Sequence, residues 1–193
     1  SWKGVENSEG FFGIAAYLET REDAVRIVSE ADAALGGPVE ALVHAMGGVA
    51  CGEPVENTGA ELMEKMMALN YAAVFHACAA VLPGMKTGKA GRIVVIGAQA
   101  IETTPGTLSA YSASKAAAAA LVKTVAAETK ALGITANVIS PGTMDTPSNR
   151  ASMPDVDPAT WVPTQHVASL AVWLCSPAGA SVTGQQWVVS GRE

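Results

Sequence analysis

The chain carries little charge and no long apolar run. Only 16% of its 193 residues are Asp, Glu, Lys or Arg, while 49% are hydrophobic. A disordered chain has the reverse balance, so this composition implies a packed core, and the length can supply one. The most apolar stretches are broken by Asn70, Tyr71 and His76, or are mostly alanine. They fall short of the roughly 18–20 residues that cross a bilayer, and no secretory signal opens the sequence. Neither a membrane nor, at net charge −6 and without a basic patch, a nucleic acid is an expected partner. Cysteine is scarce. Cys51, Cys78 and Cys175 show no C-x-x-C spacing, which reads as a reduced, cytoplasmic chain with buried structural thiols. His44, His76 and His166 have no partners at metal-ligand spacing, so no metal is expected. Repeats, linkers and low-complexity segments are missing too, apart from the alanine run at 116–120, and residues 1–193 read as one domain.

What is present is an alternation of short apolar runs and longer periodic ones. Strands are expected at Phe11–Leu18, Val39–Met46, Arg92–Ile96, Ile134–Ile139 and Gln186–Val189. Helices are expected at Arg21–Leu35, Gly59–Leu82 (closed by Pro83-Gly84), Ser109–Leu132 and Pro163–Leu174. Strands alternating with helices of this length imply an α/β fold whose parallel sheet is covered on both faces. In such sheets ligands bind beyond the carboxyl ends of the strands. The segments to watch are therefore Gly47-Gly48, Gly97–Tyr111 and Pro141–Pro154.

Tyr111 and Lys115 stand four residues apart at the start of a helix, on one face. A phenol with pKa near 10 is a poor acid or base at neutral pH. A neighbouring ammonium favours the phenolate, so the pair makes a general acid/base unit.

Around that pair lie Gly91-Arg-Ile-Val-Val-Ile96, Tyr111-Ser-Ala-Ser-Lys115, Ser140-Pro-Gly-Thr143 and Val182-Thr-Gly-Gln185. Together they resemble the short-chain dehydrogenase/reductase family over nearly the whole chain. Gly97-Ala-Gln-Ala100, Thr104-Pro-Gly106 and the segment Met144–Asp155 resemble its dihydropteridine-reductase-like branch. The resemblance implies a Rossmann-type doubly wound sheet and a nicotinamide cofactor, NAD or NADP. It implies Tyr111 as proton donor, Lys115 lowering the tyrosine pKa and holding ribose hydroxyls, and Asn70 holding a water that links Lys115 to solvent. Gly47, Pro141, Gly142 and Thr143 would lie against the cofactor, and Thr146 would bond its carboxamide while also capping a helix. Ala98, Gln99, Ser109 and Met153 would border a small substrate. The resemblance further implies a homodimer or homotetramer formed through the two long helices, with Ala119 and Ala126 at their contact.

Two departures bear on function. Alanine stands at position 98, thirteen residues before the tyrosine, where the family has a serine. It cannot hydrogen-bond a substrate carbonyl. The family's opening strand and T-G-x-x-x-G-x-G turn have no counterpart, and Gly4, Gly10 and Gly13 lack the spacing. On the scale of a β-α-β unit, the chain is expected to start about forty residues into the family pattern. Phe11–Leu18 would then pair directly with Val39–Met46, or a partner would fill the gap. His44 would contact adenine or sit in the core. The expected function is reduction of a small carbonyl or conjugated imine by NAD(P)H. The alternative is a degenerate binding protein, or a lyase or isomerase without redox turnover.

Overall fold

The structure is a computed structural model that describes residues 10–50 and 52–192. Gly4 and Cys51 lie outside the described residues. Helix α1 (Arg21–Leu35) starts at a reciprocal cap. Thr20 accepts from the Asp23 amide at 3.1 Å, and the Thr20 amide donates to the Asp23 carboxylate at 3.0 Å. The helix ends at Gly36, whose φ of 72° is the left-handed conformation glycine supplies without strain. Strand β1 (Ala41–His44) follows. A continuous helix then runs as α2 (Ala60–Met67), one π-helical turn (Ala68–Ala72) and α3 (Ala73–Gly88). Next come β2 (Gly91–Ile96), the short α4 (Ala100–Thr103), α5 (Ser109–Thr129) and β3 (Ile134–Pro141). The remainder is β4 (Met144–Asp145), α6 (Pro147–Ser152), β5 (Val162–Pro163), α7 (Thr164–Cys175) and β6 (Gln186–Val189).

The main sheet is parallel, in the order β1-β2-β3-β6. Side chains on a strand alternate between faces, and β2 shows the result. Ile93 and Val95 pack with Val74, Val81, Ala118 and Val122 of α3 and α5. Val94, between them, packs on the other face with Val167, Ala171 and Leu174 of α7. Both faces are covered, which is the doubly wound α/β arrangement expected.

Three expectations need correction. Phe11–Leu18 is not a strand: Phe11 makes one isolated bridge, and Phe11, Phe12 and Tyr17 are exposed. Among the described residues no strand lies beside this segment to share its hydrogen bonds, and it does not continue the sheet, in which β1 is an edge strand. The second correction concerns Pro83-Gly84, which does not end the long helix; α3 continues to Gly88. Met85 is 1% exposed, so continuing one turn past the proline buries a large side chain and offsets the lost hydrogen bond.

The third concerns length. Ala60–Gly88 forms 29 helical residues, long and apolar enough by composition to cross a membrane, contrary to the sequence expectation. Its Ala73, Val74, Ala77, Cys78, Val81 and Met85 are buried within the protein. The expected thiol burial holds for Cys78, which burial pushes up to about 12, while Cys175 is half-buried. Ala119 and Ala126 are also buried in this core, not on an outer helix face.

Candidate active site

Four segments converge at the carboxyl end of the sheet. The chain leaves β1 through Gly47-Gly48. It leaves β2 through Gly97, Ala98 and Gln99, and β3 through Pro141-Gly142. The first turns of α5 present Tyr111 and Lys115.

The Lys115 ammonium donates to the carbonyl of Ile96, the last residue of β2, at 3.0 Å. Burial pushes this amine down to about 8. Asn70 enters from the π-helical turn, a distortion that often marks functional positions. Its Oδ1 accepts from the Gly48 amide at 3.0 Å, and its Nδ2 donates to the Gly48 carbonyl at 2.9 Å and to Ser114 Oγ at 3.0 Å. Both carboxamide N–H groups are therefore engaged, so a water at Asn70 would have to use an oxygen. A β-carbon on Gly47 would lie 2.7 Å from Asn70 Oδ1 and 3.1 Å from Lys115 Nζ. Glycine is required there for the loop to approach both.

A second cluster closes the ends of β2, β3 and β6. The Gln99 amide donates to the Pro141 carbonyl at 2.8 Å, and Gln99 Nε2 donates to Ser190 Oγ at 3.2 Å. Gly142 leaves room for Gln99, whose Oε1 would be 2.8 Å from a β-carbon at that position. The carbonyl of Thr143 accepts from Val162, joining β4 and β5. Thr146 caps α6 by accepting from the Asn149 amide at 3.2 Å, with Pro147 in the first turn. The expected capping role of Thr146 is thus present. Met153 ends α6 and is half-buried. Ala98 is buried. Ser109 opens α5 two residues before Tyr111, a spacing that turns it away from the tyrosine.

Burial pushes the Tyr111 phenol above its ordinary value. The Lys115 ammonium, expected to lower it, is bonded to the carbonyl of Ile96. His44, at the end of β1, takes the core position of its two alternatives. It is 5% exposed and neither ring nitrogen has a hydrogen-bond partner. Burial, and then repulsion from Lys115, push it down to about 4, so it is neutral at physiological pH. Among the described residues, no three His, Cys, Asp or Glu side chains form a group that could hold a metal ion.

Sequence reasoning missed Ser114. It is 0% exposed, accepts from Asn70 and donates to the Tyr111 carbonyl at 2.7 Å. The signal was its helical position: Ser114 shares a stripe with Ala118, Val122 and Val125, and is the polar member of an otherwise apolar face.

A parallel sheet covered on both faces, with its polar groups gathered beyond the strand carboxyl ends, defines the Rossmann-type class. Residues 3–157 match the family model described as short chain dehydrogenase. The chain is 36% identical over 115 residues to an uncharacterized oxidoreductase, YohF, of Escherichia coli, covering 55% of this chain and 46% of that one. It thus spans about half the length of that relative. It is 30% identical over 194 residues to inactive 2-(S)-hydroxypropyl-CoM dehydrogenase 2 of Xanthobacter autotrophicus, covering 93% and 84%. The fold matches a short-chain type dehydrogenase/reductase from Mycobacterium ulcerans, with a TM-score of 0.85 and 24% identity, over 92% of this chain and 68% of that one. The chain belongs to the short-chain dehydrogenase/reductase family, a family of oxidoreductases.

Proposed function

We propose that the protein is an NAD(P)H-dependent reductase of a small carbonyl or conjugated imine, with Tyr111 as proton donor. The observation that carries this reading is the meeting of Asn70, Lys115 and Gly47 beside the first turns of α5. The nicotinamide half of a dinucleotide fits the residues present. Lys115 has spent one donor on Ile96 and retains others for ribose hydroxyls. The Thr146 hydroxyl accepts from Asn149 and retains its own proton to donate. Pro141, Gly142 and Thr143 would lie beside the ring. When bound, the dihydronicotinamide supplies a hydride.

Tyr111 holds the proton at its phenol oxygen and delivers it to the substrate heteroatom. Its raised pKa keeps it in the donor form at neutral pH. Lys115, one helical turn on, lies on the same face. Ala98 contributes no hydrogen bond, so Gln99 is the nearest polar side chain at the end of β2. Substrates that are protonated on a ring heteroatom suit such a site better than simple ketones.

The deciding experiment follows loss of reduced-nucleotide absorbance at saturating nucleotide, with a dihydropterin and a small dicarbonyl as probes. Tyr111→Phe should lower turnover by roughly 10²–10⁴-fold. Equal rates for the variant and the parent between about pH 6 and 9 would remove the mechanism.

A further inference from the structure

We propose that Ser114 is a positioning residue, whose hydroxyl holds Asn70 so that the Gly47-Gly48 loop stays closed over Lys115. That this matters for turnover rests on the reductase reading; the positioning itself does not.

The argument begins with the direction of one hydroxyl proton. Ser114 Oγ donates to the carbonyl of Tyr111, three residues back on the same helix, at 2.7 Å. Serines inside helices commonly bond back in this way. With its proton committed, the oxygen turns a lone pair outward, and Asn70 Nδ2 occupies it at 3.0 Å. That contact fixes the plane of the Asn70 carboxamide. The other two arms of the carboxamide then match the amide and carbonyl of Gly48, at 3.0 and 2.9 Å. Ser114 and Asn70 are both 0% exposed, so no water can replace the hydroxyl without rearrangement. Removing it leaves that N–H of Asn70 only the weak sulfur acceptor of Met66 at 3.8 Å, a poorly satisfied buried state the carboxamide escapes by turning away from Gly48.

The loop so held matters because of what lies beneath it. Gly47 approaches so closely that an added β-carbon would be 3.1 Å from Lys115 Nζ. The loop is thus part of the wall that keeps water from the amine, and the shift of Lys115 to about 8 comes from that exclusion. A serine on one face of α5 therefore controls the hydration of the next residue along it, by way of π-helical turn and loop. The other titratable groups near the amine are His44 from β1 and Tyr111 from α5. Both are uncharged between about pH 6 and 10, since one is lowered to about 4 and the other is raised. Over that range the amine titrates alone.

The test needs neither nucleotide nor substrate. Ser114→Thr and Ser114→Val have nearly the same shape and differ in the hydroxyl, so packing strain is common to both. Amide exchange at Gly48 and the NMR titration of the Lys115 side chain are read in each. Thr should keep Gly48 as protected as in the parent. Val should speed Gly48 exchange by about tenfold or more, with β3 amides such as Val138 unchanged, because the opening is local. Its Lys115 titration should move up toward the ordinary lysine value. Adding Asn70→Ala to the Val variant should change Gly48 little further, since both remove the same link. Equal Gly48 exchange in the Thr and Val variants would overturn the proposal. So would an increase at Gly48 that β3 amides share, because that reports general loosening. If the reductase reading fails on Tyr111→Phe, these outcomes still decide the role of Ser114.

Discussion

Lys115 is held in the folded chain against its own ionisation. Its ordinary pKa of 10.5 falls to about 8, so between these values the unfolded chain binds more protons than the folded one. Stability then rises with pH across that window, and the full penalty is present at neutral pH. A shift of this size corresponds to about 3 kcal/mol. Lys115→Met removes the titration. Its stability advantage over the parent, from urea unfolding, should shrink by about 2–3 kcal/mol between about pH 7 and 10. Parallel pH dependence of the two proteins would show that the amine is well hydrated in the fold. At this scale the sequence was a partial guide. Tyr111 and Lys115 were legible because four-residue spacing puts side chains together whatever the tertiary structure. Asn70 was legible through the family resemblance, although the bonds its side chain makes to Gly48 were not. Ser114 was not, because a helical serine reads as an ordinary surface residue until the helix face it occupies is known to be buried.

At the scale of elements, β3 carries much of the architecture. All eight of its residues are buried, and its side chains face helices on both sides. Asn137 within it is 1% exposed, and ties the following chain to the sheet. Its Nδ2 donates to the Val182 carbonyl at 2.8 Å, and its Oδ1 accepts from the Gln185 amide at 3.1 Å. These bonds set the turn that feeds β6. Asn137→Ala should cost about 1–3 kcal/mol, since it removes two part-buried hydrogen bonds. Thermal unfolding gives the magnitude, and hydrogen exchange should show the amides of Gln186–Val189 losing protection before those of β2. The sequence showed β3 and β2 well, because continuous β-branched runs mark strands buried on both faces. It misread Phe11–Leu18 and Pro83 for one shared reason. Whether an apolar run extends, or a helix passes a proline, depends on what the neighbouring chain offers to pack against, and Met85 had a core to enter.

For the whole molecule, the outer face of α5 is the feature that bears on assembly. Ala119 and Ala126 point into the core, whereas Ala113, Ala116 and Ala120 form an exposed row of small side chains on the same helix. We propose that homodimers or homotetramers form along this row. Sedimentation at micromolar concentration should then show a species larger than 19.6 kDa, and Ala116→Lys should reduce it to the monomer without lowering monomer stability, because surface changes usually stay within about 0.5 kcal/mol. A parent that sediments as a monomer would refute this arrangement.

The π-helical turn at Ala68–Ala72 adds one consequence for how such a chain tolerates changes in length. A π turn is an α-helix with one residue too many. Removing that residue would restore the regular hydrogen-bond pattern and leave Met66 above it and Val74 below it still directed at the core. The helix would keep its core-facing residues and lose the buried hydrogen bonds of Asn70. Asn70, however, would no longer be thrust toward Gly48. The extra residue therefore serves the contact between this helix and the Gly47-Gly48 loop rather than the packing of the helix on the sheet. A shortened relative that keeps a good core could stay soluble and well folded while having lost its chemistry.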